Sequence, residues 1–336
     1  MDGAGKKSMI LISITNRACY PCCKTLIDSL GDDCSVMLMN PEKEIEEELY
    51  SKIAFVSRSR IYGNGQAMAA STGHYMIEAA MALDKLKPEV VVVVGDRHEV
   101  LGMAAAARMA NIPVIQLQAG ERSGSVDDDI RFAVSNLSGL LIAYHDKAME
   151  ELSRKDMAWK SVKAKCPSID LCLPPYAEVS EISNYGYGDF LGDGPYYLVS
   201  LHPDTNATKE ENIGYVKEIS RDLLSGYYSS YPIVWIAPSM HDAHGEAMNK
   251  RVSQELSTRK KWRLIKHVPH RLMISLIRNC IGIIGNSSMM YREAEYFGKT
   301  CFEYGSRQSG RVKGSIWEPG GGKEVAGIIR EFLSRE

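Results

Sequence analysis

Charged and amide side chains in this sequence collect where short apolar runs stop. In "VVVVGDRHEV", Asp96 and Arg97 follow a run of valines and Gly95, so a carboxylate and a guanidinium stand at the carboxyl end of a strand-like segment. Glycine allows a sharp turn there, and the carboxyl edge of a parallel sheet is where ligands bind in open α/β folds. The competing reading is a surface turn in which Asp96 caps a helix over 99–110. In "IPVIQLQAGERSGSVDDDIRFAVSNLS", Ile112 to Leu117 reads as a buried strand, and Gly120 and Gly124 punctuate the loop after it. Gln116 and Gln118 place neutral amides at the strand end, with Glu121 just beyond. Asp127, Asp128 and Asp129 precede the amphipathic run Ile130, Val134 and Leu137. Acids in that position favour a helix dipole. Arg131 lies within helical reach of Asp127 and Asp128, to hold them ionised or to bind an anion.

The second half offers "IIGNSSMMYREAEYFGKTCFEYGSRQSGR", which reads as a strand, a turn at Gly285, and Ser287 and Ser288 opening a helix. Free N–H groups and hydroxyls at such a start form an anion site, although serines also cap helices without any ligand. Glu293 follows in the helix, and Arg307 and Arg311 come after the next strand. His202 in "VSLHPDT" ends another strand, where an imidazole binds phosphate, shuttles a proton or serves only as structure. His267 and His270 in "KHVPHR" read as loop and helix-start residues without chemistry.

These residues need parallel sheets to hold them, and the chain supplies the pattern. Strand-like runs over 9–14, 90–94, 113–117 and 140–144 alternate with helical segments, and the alternation restarts with 196–201, 233–237, 263–267, 281–284 and 301–304. A stretch rich in Pro, Gly and Tyr separates the two series. The expected organisation is a Rossmann-like half over 1–173, a linker over 174–195, a second Rossmann-like half over 196–318 and a closing helix over 319–336. Val325, Ile328, Ile329 and Leu333 give that helix one apolar face. Such an α/β chain of doubly wound sheets leaves its ligand site between the halves.

Composition narrows the function. The 336 residues, 45% hydrophobic and 24% charged with a net charge of -2, are globular and give no electrostatic reason for nucleic acid. No run approaches a membrane span or a signal peptide, so a soluble, cytoplasmic protein is expected. Eight cysteines lack framework spacing and suit a reducing compartment. Cys19, Cys22 and Cys23 form the one cluster that invites a metal, but no second pair at zinc-finger spacing completes it, and no metal or cofactor is expected.

In combination and order, "TNRACY", "VVGDRHEVLG", "AGERSGSVDDDIRFAVSNLS", "AKCPS", "SLHPDT", "IKHVP", "GNSSMMYREAEYFG" and "GSRQSGR" resemble the hydrolysing UDP-N-acetylglucosamine 2-epimerases of the sialic-acid pathway. The resemblance implies a GT-B fold with a UDP-sugar in the interdomain cleft and self-association as a dimer or tetramer. It implies that Ser287, Ser288, Glu293 and Arg307 hold UDP, with Arg17 and Arg97 near the diphosphate; Arg131 remains an anion-binding candidate on its helical spacing alone. It implies acid/base work by Asp96 and Asp127, with His202 in the same site; Asp128, beside Asp127, and Glu121, just beyond Gln118, are further candidates from their positions in the sequence. The implied reaction breaks the anomeric C–O bond while C2 loses its proton, and water adds to the resulting glycal to give the free 2-epimer and UDP. The sequence departs from the family pattern where Gln116 and Gln118 replace His-x-Glu, Cys19 replaces an acid and Phe132 replaces a histidine. A neutral amide is no general base. Two alternatives to the epimerase therefore stand: a nucleotide-sugar-binding paralogue without catalysis, and a glycosyltransferase or glycal-forming lyase on the same fold.

Overall fold

The computed structural model describes residues 10–39, 41, 43–58, 65–188, 194–240, 242–257 and 260–335. Its first sheet contains β1 (Ile10–Ile14), β2 (Cys34–Met39), β3 (Ile53–Ser57), β4 (Val90–Val94), β5 (Val114–Leu117), β6 (Leu140–Ala143) and β7 (Ser161–Lys163). All pairings are parallel, in the order β3-β2-β1-β4-β5-β6-β7. The unbroken apolar runs are explained by helices on both faces. Ile10, Ile12 and Ile14 of β1 and Val90, Val92 and Val94 of β4 enter one core. Their neighbours Leu11, Val91 and Val93 enter the other.

The second sheet contains β8 (Tyr187–Gly188), β9 (Tyr197–Ser200), β10 (Ile233–Ile236), β11 (Trp262–Ile265), β12 (Gly282–Gly285) and β13 (Thr300–Glu303), in the order β13-β12-β9-β10-β11-β8. Only β8 is antiparallel. Side chains alternate between two cores here as well, with Leu198 and Val234 on one face and Val199 and Trp235 on the other. Each sheet reverses its winding once, beside β1 in the first and beside β9 in the second, and both reversals open toward the same cleft.

Two segments differ from the sequence expectation. The stretch 174–195 includes β8, which pairs with β11, while Ala177 and Ile182 enter the second core. Arg263 of β11 pins it by donating to the carbonyls of Ile182 (3.1 Å), Ser183 (2.8 Å), Tyr185 (2.8 Å) and Gly188 (2.9 Å). A buried guanidinium that finds carbonyls in several directions turns a tether into a packed wall. The last helix, Gly321–Leu333, does bury Val325 and Ile329, but against Leu26 and Ile27 of the first half. Asp170 caps it by accepting from the backbone N–H of Gly321 (3.1 Å) and Gly322 (2.8 Å). Gly322 must remain glycine, since a Cβ there would stand 2.6 Å from the Thr25 carbonyl oxygen. The chain thus crosses back and ties its halves together at a second place.

Candidate active site

One cleft collects the carboxyl ends of the central strands of both sheets. After β1 come Asn16 to Cys19, after β4 Gly95 to Arg97, and after β5 Gln118, Ser123 and Asp127. The second half contributes His202 after β9, Ser239 and Asp242 after β10, Lys266 after β11, Ser287, Ser288 and Arg292 after β12, and Arg307, Gln308 and Arg311 after β13.

Asp96 reaches the cleft from the turn after β4, but it caps no helix. The helix His98–Met109 starts after Arg97 without a side-chain cap, and the Asp96 carboxylate instead pairs with the Arg131 guanidinium. Arg131 is fully buried, also donates to the Glu121 carbonyl, and lies 3.3 Å from Asp128. Burial and the nearby Arg292 push its pKa down to about 9, which keeps it charged at neutral pH. It therefore stands behind the cleft as a counter-ion and is not among the lining residues. Asp128 likewise turns away. It accepts from the Ser123 N–H (2.7 Å), the Ser123 hydroxyl (2.9 Å) and the Gly124 N–H (3.0 Å), and so fixes the loop before its own helix.

Asp127 faces the cleft. Burial pushes its carboxyl pKa up, Arg307 and Arg97 pull it down, and Asp242 pushes it up again. A carboxyl held above its ordinary range by burial is suited to proton transfer. His202 is held neutral: burial first, then Arg307, depress its pKa to about 3. Its Nδ1 accepts the Ser239 N–H (3.2 Å), so the ring proton sits on Nε2, 3.4 Å from the Ser200 hydroxyl.

The two glutamines have different fates. Gln116 is buried and saturated, donating to the carbonyls of Gly95 (2.9 Å) and Arg131 (3.1 Å) and accepting from the Ser135 hydroxyl (2.6 Å). It stitches β4, β5 and the helix Asp127–Leu137 together and does not line the cleft. Gln118 does line it, at a positive φ of 61°. Its Nε2 donates to Glu121 at 2.8 Å, which leaves its carbonyl oxygen on the Gly95 side. Glu121 is buried, ion-paired with Arg311, and absent from the lining. It therefore faces Gln118 and Arg311 in place of the cleft.

Phe132 also lies outside the site. Its ring packs with Ala119 and Leu141, and Arg122 and Lys155 cover it at 4.9 and 5.1 Å. Cys19 does line the cleft, with its thiol near the Thr15 hydroxyl (3.2 Å) and its pKa raised by burial. Of the four departures, only Cys19 and Gln118 therefore change the cleft surface.

On the nucleotide side, Ser287 and Ser288 line the cleft as expected, but the helix they were expected to open is a short 3-10 turn, Ser288–Tyr291, followed by the four-residue helix Glu293–Tyr296. The break falls at Arg292, whose backbone leaves helical geometry (φ -134°, ψ -82°) as its side chain enters the cleft wall. Glu293 sits behind that wall, buried, with Oε2 lacking a hydrogen-bond partner among the described residues. Arg307 lines the cleft and donates to the Asn286 carbonyl at 3.3 Å. Arg17 lines it beside His267 Nδ1 at 3.0 Å. His267 also meets Glu44 across the halves at 3.0 Å, a role the sequence did not suggest. The other omission is Asp242, which pairs with Arg97 from the opposite wall. Its only signal was its place just after a strand, in "IVWIAPSMHDAHG". Among the described residues no group of three or more His, Cys, Asp or Glu is arranged to hold a metal, and no helix is long and apolar enough to cross a membrane.

Residues 42–329 match the family model described as UDP-N-acetylglucosamine 2-epimerase. The chain belongs to this family. It is 28% identical over 275 residues to a UDP-N,N'-diacetylbacillosamine 2-epimerase (hydrolyzing) from Legionella pneumophila, covering 82% of this chain and 71% of the relative. It is 26% identical over 280 residues to a UDP-N-acetylglucosamine 2-epimerase from Neisseria meningitidis, covering 81% and 69%. Among solved structures, the Methanocaldococcus jannaschii UDP-GlcNAc 2-epimerase in complex with UDP-GlcNAc and UDP aligns with a TM-score of 0.76 at 20% identity, covering 97% of this chain and 100% of that one. The Neisseria meningitidis UDP-GlcNAc 2-epimerase bound to UDP-GlcNAc aligns at 0.73 and 16%, covering 98% and 100%. The fold of this epimerase-family member is accordingly the two-domain α/β arrangement called GT-B.

Proposed function

We propose that this protein binds a UDP-linked 2-acetamido sugar and converts it, slowly, to the free 2-epimer and UDP. One observation carries the reading: Asp96 and Asp127 from the first half and Arg307, Ser287 and Ser288 from the second line a single cleft. Cations and hydroxyls on one wall suit a diphosphate, and carboxyls on the other suit proton transfer at the sugar.

In the proposed sequence the C2 proton passes to a cleft carboxylate as the C1–O bond breaks and UDP leaves with the electron pair. The C1=C2 glycal then gains a hydroxyl at C1 from water and a proton at C2 on the opposite face. Asp127 suits one of these transfers because its environment holds its pKa up. Asp96, anchored by Arg131, is the other candidate. His202, neutral with its proton on Nε2, suits donation of a hydrogen bond to the departing phosphate. Gln118 takes no proton.

The locked amide supports one competing reading, a nucleotide-sugar-binding paralogue that has lost turnover. Incubation with UDP-N-acetylglucosamine, followed by NMR for UDP, free sugar and glycal, separates the two. Slow release of UDP with the 2-epimer supports the enzyme. Binding without any product supports the paralogue, and glycal alone would mark a lyase.

A further inference from the structure

We propose that Asp242 is a positioning residue: by gripping Arg97 from the opposite wall it holds the guanidinium charge, together with its own, beside Asp127. The inference rests on the reading of Asp127 as a proton-handling group.

The supporting chain of contacts crosses the molecule. Thr72 Oγ1 lies 3.0 Å from His98 Nδ1, and His98 Nε2 lies 3.5 Å from Glu99. Glu99, whose side chain is 0% exposed, accepts from Arg97 at 3.1 and 3.3 Å. The far edge of the same guanidinium pairs with Asp242, whose side chain is 5% exposed. Arg97 therefore serves two carboxylates from two domains. Its positive charge is more than offset locally, which makes it a poor free cation for a diphosphate and a good strut. Asp242 arrives after β10 and Arg97 after β4, so the contact joins two strand ends that belong to different sheets.

Asp127 is placed to feel this strut. The groups acting on it are the Ser125 hydroxyl at the start of its own helix, Arg97 from the first half, and Asp242 and Arg307 from the second. Arg17, His202 and Arg311 line the same cleft. Burial pushes Asp127 up, and the pull of Arg97 outweighs the push of Asp242. Asp242 is itself held ionised: burial would raise it, but Arg97 and Arg307 keep it well below the usual carboxylate range. Loss of the Asp242 charge should lower the Asp127 midpoint, and loss of the Arg97 charge should raise it. A change that merely loosened the cleft and admitted water would lower it in both cases.

The test is carboxyl carbon NMR of aspartate-labelled protein, reading the Asp127 titration in the parent, Asp242→Asn, Asp242→Glu and Arg97→Gln. The expected result is a fall of about one pH unit in Asp242→Asn, a rise in Arg97→Gln, and a value near the parent in Asp242→Glu. A fall in both Asp242→Asn and Arg97→Gln, or no shift in either, overturns the proposal. Should Asp242→Asn fail to fold, Arg97→Gln decides alone, because only a rise is compatible. The readout needs no turnover, so an inactive parent would count against the proposed reaction while leaving this result to stand or fall separately.

Discussion

The two walls of the cleft use charge in different ways. On the first-half wall the charges other than Asp127 are engaged within the protein: Asp96 with Arg131 behind it, Arg97 with Glu99 and Asp242, and Arg17 with His267. On the second-half wall, Ser287 and Ser288 open only a short turn, and Arg307 holds a single backbone carbonyl at 3.3 Å with no carboxylate partner among the described residues. A wall of internally paired charges is rigid and pre-set, as fixed dipoles for bond-breaking should be. A wall with uncommitted donors is suited to binding an anion. The comparison teaches that the same residue type, arginine, is structural at position 131 and available at position 307, and only their partners reveal which.

The largest test of this contrast is stability. Arg131→Met should destabilise the protein by about 3–5 kcal/mol in urea unfolding, because it strands the partners of a buried guanidinium. Arg307→Ala should change stability by no more than about 0.5 kcal/mol. Equal losses would erase the distinction between the walls.

A rate measurement sharpens the contrast next. Gln118→Glu would set two carboxylates at the distance now spanned by the 2.8 Å bond to Glu121, so one of them must keep a proton. Any gain in turnover should therefore appear on the alkaline side of the profile. The exchange Gln118→Glu with Glu121→Gln restores the hydrogen bond with its polarity reversed, and should raise turnover about 10²-fold at neutral pH. An unchanged rate in the double variant would remove position 118 from the chemistry.

The smallest effect is on pH dependence. His202 and His270 are held neutral by burial, with pKa values near 3 and 4, whereas an unfolded histidine titrates near 6.5. Between those values the unfolded chain binds more protons, so stability should fall as pH drops below about 6.5 and be unaffected by these groups above it. His202→Asn should flatten urea midpoints between about pH 6.5 and 4.5, by an amount on the order of 2 kcal/mol. An equally steep fall in the variant would mean His202 is not the buried neutral group described here.

Much of this was legible in the sequence, for identifiable reasons. The strands carrying the site announced themselves because both faces are covered, so Val90–Val94 is apolar throughout. Asp96 and Asp127 were visible as charges at strand and helix ends. Partnership was not. Nothing local says that Gln116 is saturated by Gly95, Arg131 and Ser135, that Phe132 points away from the cleft, or that Asp128 and Glu121 face inward, because each fate depends on residues 15 or more positions away or on a loop's course. Asp242 lacked any local pattern, since its meaning comes from Arg97, 145 residues earlier. The periodicity of the last helix revealed an apolar face but not that this face returns to Leu26 and Ile27.

The central claim is that nucleotide binding resides on the second wall and proton handling on the first. Calorimetric titration of UDP into the parent, Arg307→Ala and Asp127→Asn tests it most directly. The account predicts a roughly 10- to 100-fold loss of affinity in Arg307→Ala and an affinity within a few-fold of the parent in Asp127→Asn, whose role begins only at the sugar. Equal weakening in both variants, or no UDP binding by the parent, would contradict it.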